Sequence, residues 1–446
     1  MKTILVLILI GIAINSTFSQ VEHISDNTFY TDSTFTTLCN GPYSWKYENG
    51  QIGETENYLN GKVHGEYISY NEDGKLNYTA YYVNGELDGE SIWYYENGKI
   101  HFKSLYKNGL LTGESIYYNE NNELELKETY SNNQLNGISI SFFSNGNVKE
   151  KMNYKDDLLQ GESFSYYPSG KLKQSIIYIN DEPNGECISY FENGKIQNKS
   201  IYKNDEIQGE VTWFYENGQI SSLSRYDKGK LIGNYNSFYR NGKKESVGQY
   251  LNGQISGEWT YYDSIGNLTS KKNYLNGLQN GLDLKFYLNG QIQEKRTYVN
   301  SEVVGDVIIN YNNGKIFEKS HYSNNLKQDT LYRYYSNGKI ALKENYNKGI
   351  LEGKAVWYYK NGNVFFTVKY ERNLMQGEFI ANYKNGTIYA KGHYSNDVLQ
   401  GEYSRFNKNK TLSYKALYQK GIVNGEEIEY DTKGNLPPLI DKKCVK

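Results

Sequence analysis

The sequence predicts an all-β protein, an elongated and twisted array of stacked antiparallel β-hairpins. The first observation is a 24-residue repeat that keeps its phase over most of the chain. Steps of 24 from Gly41 reach glycine at sixteen of seventeen positions, and Asp329 is the exception. The same step from Tyr58 reaches tyrosine at all sixteen positions through Tyr418. This period indicates one small structural unit stacked about 16–17 times, each unit contacting its neighbours.

The second observation is that each repeat contains two strand-like segments and two sets of turn residues. In residues 65–88 the segments are 66–70 and 75–82. Sister repeats carry Glu-Asn-Gly at the first turn, as at residues 48–50, and Asn-Gly predicts a tight hairpin because both residues tolerate positive φ. A longer turn is expected at residues 83–88, where positions equivalent to Gly85 hold only Gly, Asn, Asp or Ser. The residues that mark the structural repeat are Gly65, Gly89, Gly113, Tyr58, Tyr82 and Tyr106.

The third observation is the alternation of side chains along these segments. Successive residues of a strand point to opposite faces, so residues of the same parity share a face. On this basis we expect Ile68, Tyr70, Leu76 and Tyr82 to form one apolar row on a single face. One hairpin is marginal in water, but stacked neighbours cover each other's rows.

The ends of the chain depart from the repeat. Residues 1–19 resemble a signal peptide, with Lys2, an apolar run at residues 4–14 and small residues before a cleavage site preceding Gln20. The sequence therefore predicts a secreted or periplasmic/cell-surface protein. Residues 20–40 are expected to form an N-terminal capping segment, residues 41–436 the array and residues 437–446 a C-terminal tail. No apolar stretch after residue 20 is long enough for a transmembrane segment in the mature chain.

Composition and residue spacing argue against several classes of function. The formal net charge of −2 argues against nucleic acid as a partner, because phosphate-backbone binders carry a basic excess. The three cysteines, Cys39, Cys187 and Cys444, have no metal-ligand spacing, and their redox state is left open. The five histidines share no repeat position, so no convergent catalytic set is expected. We predict no enzymatic activity, no cofactor and no metal site.

Tryptophan supplies the candidate binding surface. Four of the five tryptophans occupy one repeat position, and each is followed two residues later by tyrosine. Residues two apart share a strand face, here the one opposite Tyr70 and Leu76. Exposed aromatic rows are candidate contact surfaces for a protein or a glycan, although cross-strand pairing that stiffens the sheet is an alternative explanation. The candidate residues are Trp45, Tyr47, Trp93, Tyr95, Trp213, Tyr215, Trp357 and Tyr359.

The repeat resembles known families. Tyr-Tyr-Glu-Asn-Gly-Lys-Ile at residues 94–100, Tyr-Lys-Asn-Gly at 106–109 and Leu-x-Gly-Glu at 111–114 are similar to the MORN-repeat variant and to the YwqK-type antitoxin repeat. The resemblance covers roughly residues 41–436 and implies stacked β-hairpins without a defined catalytic residue. Bacterial choline-binding repeats are a more distant alternative, with a shorter period and a more regular tryptophan.

Three functional hypotheses follow from these observations. The first is an exported, non-enzymatic repeat protein that offers an interaction or scaffold surface, with a protein as its partner. The second, implied by the YwqK resemblance alone, is a toxin-neutralising or immunity-like protein. The third is a lipid or glycan surface binder that uses the aromatic rows.

Overall fold

The computed structural model describes residues 23–25, 28–30 and 37–436, with side chains at residues 28, 29 and 37–436. The predicted signal peptide, the tail and Cys444 lie outside the described residues. The chain divides into two units, Met1–Glu206 and Ile207–Lys446, and each is described by itself. Every regular element among the described residues is a β-strand. The prediction of an all-β fold built from stacked antiparallel hairpins is confirmed in each unit.

In the N-terminal unit, each repeat begins with a strand that pairs with the longer second strand of the same repeat. The second strand then pairs with the first strand of the next repeat, as Tyr78 does with Trp93. The strands before the array are His23–Ser25 and Thr28–Tyr30. The strands of the array in this unit are Gly41–Lys46, Ile52–Leu59, Lys62–Val63, Gly65–Tyr70, Leu76–Val83, Glu86–Leu87, Gly89–Tyr94, Ile100–Lys107, Leu110–Leu111, Gly113–Tyr118, Leu124–Ser131, Gln134–Leu135, Gly137–Phe142, Val148–Lys155, Leu158–Leu159, Gly161–Tyr166, Leu172–Ile179, Glu182–Tyr190 and Ile196–Lys203.

The C-terminal unit repeats the same pairing, and in most of its repeats the short strand after the second turn merges with the next first strand. The first unit ends and the second begins within the two-residue strand Glu206–Ile207. The strands that follow it are Gly209–Phe214, Ile220–Asp227, Lys230–Phe238, Lys244–Leu251, Gln254–Tyr262, Leu268–Leu275, Leu278–Phe286, Ile292–Val299, Glu302–Asn310, Ile316–Ser323, Leu326–Tyr334, Ile340–Asn347, Ile350–Leu351, Gly353–Tyr358, Val364–Glu371, Leu374–Asn382, Ile388–Ser395, Val398–Leu399, Gly401–Phe406, Leu412–Gln419, Ile422–Val423 and Ile428–Glu429.

The Glu-Asn-Gly turn is not the tight turn that the sequence predicts. The Tyr47 amide donates to the Gln51 carbonyl and the Gly50 amide donates to the Tyr47 carbonyl, which closes a longer loop. Only Gly50 has a positive φ, of 85°. Asn49 instead accepts a hydrogen bond from the Gln51 amide at 2.9 Å and donates one to the Glu72 carbonyl of the next repeat, also at 2.9 Å. Asparagine is favoured here because its amide joins successive turns.

The tight turn lies at the other end of the hairpin, where a longer connection is expected. Val83 pairs with Glu86, which leaves a two-residue turn of Asn84 and Gly85 with φ values of 52° and 86°. Positive φ at both central residues is the requirement of a type I′ hairpin. Where asparagine replaces the glycine, as at Asn133, its Oδ1 accepts the amide of Leu111 in the preceding repeat at 2.7 Å.

A β-bulge follows the first turn of each repeat and sets the two faces of the sheet. In residues 65–88, Ser69 pairs with Tyr78, but Tyr70 pairs with Leu76, so Asn77 is an extra residue in the second strand. The Asn77 amide lies 3.4 Å from the Ser69 hydroxyl, which places it on the Ser69 side of the sheet. A bulge of this kind shifts the alternation of side chains by one residue.

The bulge overturns one sequence expectation. Leu76 lies with Ile68 and Tyr70, but Tyr82 lies on the opposite face with Tyr67, its ring centroid 5.8 Å from that of Tyr67. The prediction that these four residues share a face is wrong, because parity is not preserved across the inserted residue. We name the two faces from this repeat. The tyrosine face carries Tyr67, Ser69, Asn77, Tyr78, Ala80, Tyr82 and their equivalents, and the lysine face carries Glu66, Ile68, Tyr70, Leu76, Thr79, Tyr81 and theirs.

Burial is concentrated on the tyrosine face. The most buried side chains are small ones at its central positions, such as Ser115 and Ala355, both 0% exposed. Among the described residues, Ser404 is the one buried side chain that occupies a lysine-face position. The tyrosine that repeats every 24 residues packs beside this central row, as Tyr82 does on Tyr67. Small central residues allow the tyrosine rings to cover them, so that one layer of sheet can bury part of one face.

Positive φ explains the glycine series. Gly65 and Gly113, which each open a repeat, have φ values of 102° and 73°, a region where a Cβ is strained. Asp329, the exception in the series, retains a positive φ of 59°, and aspartate is among the residues that tolerate this conformation. The position in the repeat, and not the residue type, therefore determines the left-handed backbone conformation here.

The segment before the array contacts the first tight turn. The Phe29 amide donates to the Gly61 carbonyl at 2.7 Å, and the Gly61 amide donates to the Cys39 carbonyl at 2.8 Å. The Phe29 ring lies 5.1 Å from that of Tyr58. These contacts continue the pattern that joins the tight turns of later repeats, in which the Gly85 amide donates to the Val63 carbonyl.

Candidate functional site

The tyrosines of the candidate pairs hold successive repeats together. The hydroxyl of Tyr95 donates to the Tyr118 carbonyl of the next repeat at 2.8 Å, and Tyr47, Tyr215 and Tyr359 make the same bond. The bond does not depend on the tryptophan, because it also forms in repeats that lack one. The other tyrosines that make it are Tyr167, Tyr239, Tyr287, Tyr311, Tyr335 and Tyr383. These tyrosines join successive repeats, a structural role that the sequence spacing alone did not reveal.

Two of the four tryptophans are exposed, whereas all four tyrosines of the pairs are half-buried. All four occupy tyrosine-face positions, opposite Tyr70 and Leu76. Trp93 and Trp213 are 39% and 40% exposed, whereas Trp45 and Trp357 are half-buried. The exposed indole surface therefore differs between repeats, and Trp93 and Trp213 are the best placed for a contact.

Trp93 is part of a continuous row of rings across three repeats, which we call the aromatic row. Successive ring centroids lie 5.9, 4.3, 6.0 and 5.5 Å apart along the sequence of contacts Tyr67, Tyr78, Trp93, Phe102 and Tyr117. Ring pairs at these distances stabilise each other beyond their buried area. The row forms because directly paired residues of adjacent antiparallel strands lie on the same face, as Tyr78 and Trp93 do.

Carboxylates flank this row at both ends. The Tyr67 hydroxyl donates to Glu54 Oε2 at 2.6 Å, and the Tyr130 hydroxyl donates to Glu128 Oε2 at 2.7 Å. Burial raises the pKa of both phenols, and the neighbouring carboxylate raises each pKa further. Both phenols are therefore neutral donors at physiological pH, and each fixes the position of a negative charge beside the rings.

In the C-terminal unit two glutamates of the tyrosine face, Glu294 and Glu318, have cationic partners. Lys285 Nζ lies 2.9 Å from Glu294 Oε2, and Arg296 Nε donates to Glu294 Oε1 at 2.7 Å. Arg333 Nε donates to Glu318 Oε2 at 2.8 Å. Burial would raise the pKa of Glu294, but Lys285 and Arg296 hold that pKa below its ordinary value. This part of the face is charged but internally paired.

The fifth tryptophan, Trp259, is a core residue that the candidate list omits. It is 5% exposed, its ring lies 5.4 Å from that of Tyr250, and it covers Gly248. A second apolar cluster joins Val368, Phe379 and Ala390. The sequence signal for the Trp259 cluster is a glycine, Gly248, at the central position of the second strand beside a bulky residue in the following strand.

Comparison with known proteins identifies the repeat. More than half of the chain matches the MORN repeat variant in twelve segments. The chain belongs to this family. The matched residues are 63–84, 87–108, 111–132, 135–156, 159–180, 183–204, 207–228, 279–300, 304–324, 330–348, 351–372 and 375–396. The expected MORN-variant resemblance is confirmed, and the YwqK-type assignment stays a prediction.

The structure extends the MORN hairpins beyond the matched segments. Residues 230–275, which the family match leaves out, contain two further hairpins of the same register. MORN repeats commonly serve protein or membrane interaction, and the family is generally non-enzymatic. No curated protein matches this chain.

Several solved toxin-complex structures are similar to the chain over most of its length. They include TcdB2-TccC3-Cdc42 (10% identity, TM-score 0.12, 88% of this chain and 29% of that chain) and TcdB2-TccC3-TEV (12%, 0.15, 91% and 25%). The Photorhabdus luminescens Tc holotoxin pore is a third (11%, 0.14, 88% and 27%). The MORN chain spans between a quarter and a third of each of these chains.

The lysine face of the MORN sheet carries a different pattern. Lysines of the second strands reach glutamates of the first strands, as Lys271 does to Glu258 at 2.7 Å and Lys415 to Glu402 at 3.1 Å. Such exposed pairs contribute little to stability but keep the face hydrated. The repeated glutamates of the first strands therefore form a hydrated row in which some members pair with lysine.

Two features are absent from the part of the chain that the structure describes. No group of three or more His, Cys, Asp or Glu side chains within it is arranged to hold a metal ion. The same part of the chain includes no helix long and apolar enough to cross a bilayer. Cys187 is a buried free thiol whose pKa is raised by burial, and Cys39 is a cysteine of intermediate exposure.

Proposed function

We propose that this MORN-variant protein is an exported, non-enzymatic scaffold that binds a partner protein through the tryptophans of its tyrosine face. The observation that carries the proposal is the exposure of Trp93 and Trp213 on the face where burial is concentrated. Exposed indoles among well-packed aromatic neighbours are the type of residue that dominates protein interfaces. The tyrosines two residues later are already bonded to carbonyl groups and leave recognition to the indoles.

Site-specific photocrosslinking in the producing organism tests this proposal. A photoreactive phenylalanine analogue replaces Trp93 or Trp213, and matched controls carry it at the adjacent aromatics of the lysine face, Tyr94 and Phe214. We expect a discrete protein adduct from positions 93 and 213, with no adduct from 94 and 214. Equal yields from both faces, or no adduct from either, would overturn the proposal.

The same preparation tests the cellular location and narrows the role. Mass spectrometry of the mature chain should give Gln20 as its first residue if export removes residues 1–19. A toxin as the crosslinked protein would specify toxin neutralisation, the role that the YwqK resemblance implies. An adduct that consists of lipid or glycan would replace the protein-binding proposal with a surface-binding one.

A further inference from the structure

The charges of the tyrosine face are distributed unevenly in the N-terminal unit. Over the first four repeats, residues 41–136, this face carries Glu54, Glu56, Glu125 and Glu128. The same strand and bulge positions contain no lysine or arginine within these residues, and His101 at a bulge is their one basic side chain. The lysines of these repeats lie on the lysine face or in the turns, as Lys103 and Lys75 do.

The acidic groups and the aromatic row form one surface. Glu54 and Glu56 precede the row, and Glu125 and Glu128 follow it. The row between them is formed by Tyr67, Tyr78, Trp93, Phe102 and Tyr117. Aromatic faces and carboxylates both attract cations, the rings through their quadrupole and the carboxylates through their charge.

The C-terminal unit shows that this pattern is not a general property of the repeat. There the tyrosine face places Lys285, Arg296 and Arg333 beside Glu294 and Glu318, so that these two charges are matched inside the sheet. Over the first four repeats no lysine or arginine occupies a tyrosine-face position that could match Glu54, Glu125 or Glu128 in this way.

We propose that the tyrosine face of residues 41–136 binds an extended, arginine- or lysine-rich segment of the partner protein. This inference rests on the protein-binding function proposed above and adds the chemistry of the partner. Guanidinium groups suit the site because they stack on aromatic rings and also form paired hydrogen bonds to carboxylates. The rings supply contact area, and Glu54, Glu125 and Glu128 select the charge.

The dimensions of the surface fit an extended peptide. Two strands per repeat advance a sheet by ~10 Å, so the three repeats that separate Glu54 from Glu125 span roughly 30 Å. An extended chain rises about 3.3 Å per residue, so about nine residues would reach from one pair of carboxylates to the other. A single small cation would contact only one end of this surface.

Fluorescence anisotropy with defined peptides tests the inference on the full-length protein. The probes are labelled peptides of about twelve residues that alternate serine with arginine, threonine or glutamate. We expect the arginine peptide to bind most tightly and its affinity to fall as salt is raised. The combined substitutions E54Q, E125Q and E128Q should weaken its binding at least tenfold. The matched control, E66Q, E90Q and E114Q on the lysine face, removes the same charge and should change affinity less than twofold.

Three outcomes would overturn the inference. The first is equal weakening by the two sets of substitutions, and the second is binding of the glutamate peptide as tight as that of the arginine peptide. The third is binding of phosphatidylcholine vesicles that the arginine peptide does not displace, which would assign the surface to a lipid cation. If the threonine peptide binds as tightly as the arginine peptide and Trp93→Ala abolishes its binding, the charge inference fails while the protein-binding function stands. If photocrosslinking gives no adduct at position 93, the proposed protein-binding function itself is rejected.

Discussion

Raising the pH from about 8 to about 11 is expected to destabilise both units by a few kcal/mol each. Burial raises the pKa of at least five tyrosines in each unit above the ordinary value of 10, and in the C-terminal unit it raises the pKa of Tyr346 to about 12, with a further contribution from Glu344. In the unfolded chain these phenols lose their protons near pH 10, whereas the folded chain keeps them. Stability is therefore fully present below pH 10 and falls as the pH rises through the folded-state values.

The size of this loss of stability depends on the number of partly buried tyrosines and not on any single one. Each partly exposed phenol contributes roughly 0.5 kcal/mol by pH 11 after solvent screening, so that five of them in one unit lose about 2.5 kcal/mol. Urea unfolding at a series of pH values, followed by circular dichroism, measures the loss. A variant in which Tyr82, Tyr106, Tyr130 and Tyr154 are phenylalanine is the control, and its decline should be shallower. A urea midpoint that stays constant between pH 8 and pH 11 would contradict this account of the tyrosine face.

The second large effect is expected from Gly248→Ser. A Cβ added at Gly248 would lie 2.2 Å from two ring atoms of Trp259, far inside van der Waals contact. Serine is the ordinary residue at this position in other repeats, as at Ser200 and Ser224, where no tryptophan covers it. We expect Gly248→Ser to lower the free energy of unfolding by about 3 kcal/mol, since the ring has no room to move away.

A double-mutant cycle separates this clash from a general loss of packing. Trp259→Val introduces the residue found at the equivalent Val211 and Val307, and alone it costs about 3 kcal/mol by leaving a cavity. In the double variant with Gly248→Ser, the loss of stability should be about 2 kcal/mol smaller than the sum of the two single losses. The reason is that the serine then occupies part of the space that the indole ring leaves. Strictly additive effects would show that the two residues do not share this site.

Much of the fold could be predicted from the sequence because the repeat fixes it many times over. The period of Gly41 and Tyr58 gives the number of hairpins, and the Gly85 position gives a turn with positive φ. The assignment of turn types failed because Asn49 and Asn84 have different physical roles. Asn84 adopts a positive φ, whereas Asn49 bonds to the next turn, and a sequence pattern does not separate these two uses of asparagine.

The candidate site could be predicted in part. The tryptophan positions follow from the repeat, but the aromatic row crosses the bulge at residues such as Asn77, where parity counting no longer gives the face. Tyr82 was assigned to the wrong face for this reason. The charge asymmetry of Glu54 and Glu128 is visible only once the register assigns each residue to a face, since lysines such as Lys103 are close in sequence but lie on the other side.

Thiol labelling of single cysteines tests the central claim most directly, which is that the bulge sorts side chains into one buried face and one hydrated face. In a protein whose Cys39, Cys187 and Cys444 are replaced by serine, cysteine is introduced at Ser104 or at its neighbour Lys103. Ser104 is 4% exposed on the tyrosine face, whereas Lys103 lies on the lysine face and pairs with Glu90. The account predicts that position 103 reacts with a maleimide reagent at least a hundredfold faster than position 104 under native conditions, and that the two react equally in urea. Equal native rates, or faster reaction at position 104, would contradict it.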